Sequence, residues 1–165
     1  MTRNRKKGFT LIEVILVLIL LGIVSAIAGM GLVVLAQGYV FANLNSTMVE
    51  KGQTAITRIV KELGDCTITA GNATSVTFRR RSDGTSHTLS WAGTPGGPLL
   101  LSDPNNNNDV LTDNVRSFAL VYYDNGGNIV AATAAAQSQV QSTLQLIAAD
   151  DSIRTFTNRV YTKTQ

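Results

Sequence analysis

The hydrophobic pattern divides the chain into two unlike parts. Residues 14–36 form one apolar run, VILVLILLGIVSAIAGMGLVVLA, and between Glu13 and Glu50 there is no Asp, Glu, Lys or Arg. A helix rises about 1.5 Å per residue, so this run is long enough for the ~30 Å hydrocarbon core of a bilayer. Helical period continues past it. Ile56, Ile59, Val60 and Leu63 fall at i, i+3, i+4 and i+7, with Lys51, Arg58, Lys61 and Glu62 elsewhere around the wheel. Gly64 is a C-terminal stop signal. The pattern predicts one helix over residues 9–63, about 80 Å long. Its first half is suited to lipid, and its second half carries an apolar stripe suited to a sheet.

Beyond Gly64 the period changes to two. Residues 75–81 and 87–91 read as strands joined by a turn at Asp83-Gly84. Residues 115–123 make another strand, with Asn125-Gly126-Gly127 as its turn and 129–130 returning. Residues 140–148 and 154–162 read as a final hairpin around Asp150-Asp151. Residues 95–108 read as loop with a short apolar interruption at 99–101, and 131–139 as either loop or a brief helix. There is no internal repeat. The expected fold class is α+β: a long N-terminal helix, transmembrane in its first half, packed on a C-terminal antiparallel β-sheet. The expected divisions are a basic leader (1–8), a membrane or filament-core helix (9–36), its amphipathic continuation (37–64) and an exported β-rich domain (65–165).

Composition changes the picture only once it is divided in the same way. The chain has 165 residues, a formal charge of +3 and a pI near 9.2, but Arg3, Arg5, Lys6 and Lys7 all precede Gly8. Without the first eight residues, ten basic side chains face eleven acidic ones, a net of −1. The overall pI is therefore no argument for nucleic-acid binding. The basic cluster ahead of the apolar run should stay on the cytoplasmic side, which places the C-terminal domain outside the cytoplasm.

An ordinary secretory signal has an apolar core of about 7–15 residues ending in a small-residue cleavage site. Here the run is longer, flows into further helix-compatible sequence, and holds Ala26-Ile27-Ala28 in its interior. A plain membrane anchor would not need Lys7-Gly8-Phe9-Thr10-Leu11-Ile12-Glu13. That segment resembles the class III signal of type IV prepilins and type II secretion pseudopilins, a short basic leader ending in Gly followed by Phe-Thr-Leu-[Ile/Leu]-Glu. The likeness is complete from Gly8 to Glu13. It implies cutting after Gly8 by a membrane-embedded prepilin peptidase and methylation of the new N-terminus at Phe9. Gly8 suits the role physically, because a residue without Cβ lets a protease approach the backbone.

Glu13 is the residue this resemblance assigns to assembly. A carboxylate at the edge of an apolar span is costly unless paired or snorkelled. Cleavage would supply a partner, the cationic amine of Phe9. At ~4 Å and an effective dielectric near 20, the attraction is about 4 kcal/mol. Desolvation offsets much of that, so the pair acts as a register device more than a source of stability. Pairing within one chain is possible at one helical turn; the resemblance implies the amine of a neighbouring subunit. An interfacial Glu reaching headgroup water is the blander reading.

Gly22, Ser25 and Gly29 form a loose small-residue face suited to close helix approach. Many major pilins carry a helix-bending Pro in this region, whereas the first Pro here is Pro95. Gly29-Met30-Gly31 could loosen the helix instead. The absent Pro points away from a major pilin, and the C-terminal half resembles one branch of the family, the J-type minor pseudopilins and W-type minor pilins. The matching pieces are the helix end at 59–63, the Ser75-Val76-Thr77-Phe78 strand, Asn114 to Phe118, Tyr122-Tyr123-Asp124, and the strands near 140–146 and 156–160. The implied role is a minor structural subunit in pilus assembly or protein secretion. Its implied partners are prepilin peptidase, other pilin or pseudopilin subunits, the inner-membrane assembly machinery and the bilayer. The implied location is the cytoplasmic membrane, then an extracytoplasmic filament. The alternative is a single-span protein whose exterior domain binds a ligand such as calcium or DNA.

Asp103, Asn105, Asn107 and Asp109 place oxygen side chains at alternate positions, a set calcium accepts. The segment lacks the glycine and bidentate Glu of an EF-hand, so a solvated turn is the preferred reading. Arg79-Arg80-Arg81 beside Phe78 reads as a solvated strand edge that discourages aggregation rather than a DNA contact. His87 is the only histidine and Cys66 the only cysteine, which excludes an internal disulfide and a Cys/His zinc site within one chain. Neither Ser90 nor Ser152 with His87 sits in a hydrolase motif, and no cofactor is expected. Trp91 and Tyr122 read as packing residues.

Overall fold

The structure is a computed structural model and describes residues 10–105, 107–133 and 137–162. Helix α1 spans Leu11–Gly64, 54 residues, with Glu13 in its first turn and Lys61 in its last, each at the end of the helix dipole that favours its charge. It is unbroken through Gly29-Met30-Gly31. The chain forms two compact units, Met1–Ala42 and Asn43–Gln165. In the first, every described residue is exposed, including the large side chains from Leu11 to Phe41. The helix is long and apolar enough to cross a membrane.

In the second unit the rest of α1 meets a sheet of strands β1 (Cys66–Gly71), β2 (Ser75–Arg80), β3 (Ser86–Trp91), β4 (Gly97–Ser102), β5 (Asn108–Tyr123), β6 (Ile129–Val130), β7 (Gln139–Ile147) and β8 (Ile153–Tyr161). The order is β1-β2-β3-β4-β5-β7-β8, with β6 on the other side of β5, and every pairing is antiparallel. The helix buries Met48, Gly52, Ala55, Ile56, Ile59 and Leu63. That three- and four-residue spacing is the predicted stripe, extended one turn or more toward the N-terminus. It closes over Val76, Phe78, Leu89, Leu99, Val115, Phe118, Leu144 and Leu146, which alternate along their strands and form the core. The arrangement is the expected α+β one, pilin-like in its long apolar helix and antiparallel sheet.

Three local expectations are corrected. The segment read as loop over 95–108 contains β4, whose Leu99 and Leu101 are core residues. Pro98 misled because proline is ordinarily excluded from a central strand. Here it sits at a register shift between Gly97 and Leu99, where a ladder hydrogen bond is already lost. Strand β5 begins at Asn108, seven residues before the predicted start. It pairs with β4 up to Val115 and with β7 from Val115 onward; Asn114, at φ 55°, turns it between the two. Strand β1 was not expected at all, because CTITAG is short and weakly patterned. It is secured by its ladder to β2, bulged between Ile68 and Ala70. Ala132 and Thr133 form a turn, and residues 134–136, in the segment left open between loop and helix, lie outside the described residues.

Candidate processing and assembly site

The helix begins at a definite place. Thr10 is not helical and Leu11 is the first helical residue. The Thr10 carbonyl accepts from the backbone N–H of Glu13 at 3.1 Å and of Val14 at 3.3 Å, while its Oγ1 accepts from the Glu13 N–H at 3.4 Å. Thr10 is therefore the N-cap and Glu13 the third residue of the first turn, where the helix dipole favours a carboxylate. Glu13 is exposed, and behind it the surface of α1 is apolar on all sides. A Cβ built at Gly22 or Gly29 would meet nothing within 4 Å, so the small-residue face with Ser25 is open. Gly8 and Phe9, read as the two sides of the cut, lie outside the described residues.

Residues 3–29 match the family model of the prokaryotic N-terminal methylation motif. The methylation motif thus covers residues 3–7 of the basic segment, the Gly8–Glu13 segment and residues 14–29 of the 14–36 apolar run. It supports the type IV pilin-like family and indicates a pilin or pseudopilin precursor processed by prepilin peptidase. With the long apolar helix, the methylation motif fits a single-pass anchor in the inner membrane. The chain matches no curated protein and no solved structure.

The remaining candidates have other duties. In the Asp103 loop one carboxylate oxygen accepts the backbone N–H groups of Asn105 at 2.9 Å and Asn107 at 2.8 Å, and the other accepts Asn107 Nδ2 at 3.0 Å. Those bonds, the Asn107 side chain first, hold the Asp103 carboxyl below its ordinary value. Asp109 sits on β5 opposite Leu101, and among the described residues no three His, Cys, Asp or Glu gather as a metal set. The loop after β5 repeats the device: Asp124 accepts from Asn128 N at 2.8 Å and Asn128 Nδ2 at 2.9 Å. In both loops Asp and Asn stand four residues apart, and the Asp N–H bonds back to the Asn carbonyl. These are self-satisfied hairpin loops.

The arginine run is split by the sheet. Arg80 turns toward the helix, where its Nε and Nη2 bond Glu62 Oε2 at 3.0 and 2.7 Å, while Arg58 bonds Oε1 at 3.0 Å. Reading all three arginines as a solvated edge was therefore wrong for Arg80. Its side chain is only 27% exposed, because the alternation of β2 aims it at the end of α1. His87 is buried in β3, stacked on Phe78 and bonded to Thr85 Oγ1 at 2.8 Å. Trp91 packs against the core and Tyr122 lies inside it, its hydroxyl donating to the Asn72 carbonyl at 3.1 Å. The Cys66 thiol donates to the Leu63 carbonyl at 3.4 Å, satisfying one of the open acceptors at the helix end. Of these, the Thr10 cap went unread in the sequence, although Thr10-x-x-Glu13 is a capping-box spacing.

Proposed function

We propose that this chain is a minor structural subunit of a type IV pilus or a type II secretion pseudopilus. It is stored in the cytoplasmic membrane with its N-terminus inside, cut between Gly8 and Phe9 by prepilin peptidase and methylated at Phe9. It is then drawn out of the membrane by the inner-membrane assembly machinery into a filament with other pilin or pseudopilin subunits. The observation that carries this reading is the meeting of two features on one helix: the methylation motif, and an apolar surface left fully exposed from Leu11 to Phe41. Such a surface needs lipid or other helices around it. The role is structural and not catalytic. The unbroken helix without proline and the late hairpin favour a minor subunit of the J-type or W-type branch.

In this reading Glu13 neutralises the amine of Phe9 on a neighbouring subunit and sets its register. Mass spectrometry of the membrane-extracted chain tests the processing: the expected N-terminus is methylated Phe9, whereas an intact Met1 would favour a plain anchor with a ligand-binding exterior domain. Gly8→Val should leave the full-length precursor in the membrane; its normal processing would overturn the assigned cut. Glu13→Val should be cut yet enter filaments poorly. Entry equal to the native chain would overturn the register role.

A further inference from the structure

We infer that strand β8 is a docking edge, whose outer side takes up an extended, acid-bearing segment of another protein chain as a further strand of the sheet. The strand order ends at β8, and among the described residues no strand lies on its far side. All nine residues, Ile153–Tyr161, pair with β7 in one unbroken register. Just beyond its two ends, the Ala148 N–H donates to the Ser152 carbonyl and the Thr162 N–H to the Ser138 carbonyl, both at 2.8 Å. Hydrogen-bonded pairs alternate along an antiparallel ladder, so the even-numbered residues of β8 bond to β7. Ile153, Thr155, Thr157, Arg159 and Tyr161 therefore turn their N–H and C=O groups to the open edge. All five are exposed. Helix α1 meets the strand on its other face, where Phe156 lies beside Gly52 and Val160 beside Gly64.

The other margins of the sheet are blunted where β8 is not. Strand β1 has six residues and a bulge between Ile68 and Ala70, and β6 has two residues. Short strands, bulges, Pro and Lys are the usual means of keeping an edge from pairing. Strand β8 has none of them, and Ile, Thr, Phe, Val and Tyr make it a good strand former. Its only charges are Arg154 and Arg159, and neither has a carboxylate within salt-bridge distance among the described residues. Arg159 is held on the outer face, 3.7 Å over the Tyr123 ring and 3.0 Å from Gln141 Oε1. A second copy of β8 would bring two more cations and no acid, whereas a strand carrying Asp or Glu is attracted. Main-chain hydrogen bonds supply the binding in such strand addition, and the side chains select the partner.

The test uses the full-length chain in detergent and a fluorescent peptide alternating Val and Glu. Saturable binding is expected, with slowed amide exchange at Thr155, Thr157 and Arg159. The same peptide with every amide N-methylated, or with Lys in place of Glu, should bind at least about tenfold more weakly. Thr157→Pro removes an N–H that faces the open edge and leaves the ladder to β7 whole, so it should abolish binding in a folded chain. Arg159→Glu should weaken binding by about tenfold, because an attractive cross-strand pair becomes a repulsive one. It keeps the test decisive if the proline disturbs the strand. No binding up to about 1 mM, equal binding of the N-methylated peptide, or exchange protection confined to another strand would overturn the inference. So would a dimer of the chain that Thr157→Pro dissolves, since the edge would then serve a second copy. These readouts need no cut at Gly8, so they stand apart from the processing reading.

Discussion

Phe156 on β8 fills the place that a side chain at position 52 of α1 would need. An ideal Cβ on Gly52 would lie 2.3 Å from two carbons of the Phe156 ring. The helix and the last strand are thus in contact through a missing side chain. Ala is favoured over Gly within a helix by about 1 kcal/mol, but forcing atoms into a packed site costs about 1–3 kcal/mol. The second effect should win. Gly52→Ala is expected to lower the unfolding free energy by up to about 2 kcal/mol, with Gly52→Ala/Phe156→Leu recovering most of it, as chemical denaturation would show. A more stable Gly52→Ala would mean that the ring moves aside freely.

Glu62 is held between Arg58 and Arg80, with a side chain only 10% exposed. Removing one partner of a fully buried ion pair costs about 3–5 kcal/mol, but Arg80 is partly solvated and screening reduces the loss. Glu62→Gln should therefore cost about 1–2 kcal/mol and raise hydrogen exchange at the β2–β3 turn, which Arg80 ties to the helix. Arg58→Ala, on the exposed side of the same carboxylate, should cost less than about 1 kcal/mol. Equal losses for the two would contradict the unequal burial seen here.

Burial pushes the Cys66 thiol up to about 12 from 9.0, with Asp65 and Glu62 adding to the shift. The folded state holds the proton more tightly than the unfolded one. Stability from this group is therefore complete below pH 9.0 and is lost as pH rises toward 12. At neutral pH the thiol should react with alkylating reagents only through unfolding, so its labelling rate should follow the denaturant dependence of stability. Fast labelling of the folded chain would show that Cys66 is reachable.

The Asp103 and Asp124 loops should be indifferent to calcium, because their carboxylates already accept N–H donors. Adding calcium is expected to leave Tm unchanged, and a clear rise would reopen Asp103, Asn105, Asn107 and Asp109 as ligands. Both carboxyls are held below their ordinary value of 3.8, each chiefly by the side chain of the Asn four residues on. Their contribution is thus present above pH 3.8 and lost as pH falls through the lower folded values. Asp103→Asn should flatten the acid side of the stability profile below pH 4 and leave the neutral region less affected.

How much could be read in advance depended on how local the determining physics was. The helix was legible because its signals repeat over many turns: an uncharged apolar run, then Ile56, Ile59, Val60 and Leu63 at regular spacing. The β2–β3 and β7–β8 hairpins were legible from alternation around Asp83-Gly84 and Asp150-Asp151. Strand β4 was not, because Pro98 is tolerated only through a bulge, and a bulge depends on the register of β5. Strand β1 was hidden because its six residues gain their structure from the ladder to β2. The methylation motif was legible because it lies in one continuous stretch of sequence, residues 3–29. Arg80 was misread because a carboxylate eighteen positions earlier decides its role.

Strand β5 gives the β-sheet a single seam. Up to Val115 it pairs with β4, beyond it with β7, and Asn114 turns the chain between them, while the β1–β2 loop still reaches the later part through Ala73 and Asn72. The β1–β4 and β7–β8 ladders meet only through that one strand, so the half that frays first should do so at its outer edge and stop at the seam. Within the sheet one backbone joins the two halves at Asn114 and Val115, while α1 spans both, held to β2 through Glu62 and Arg80 and to β8 through Gly52 and Phe156.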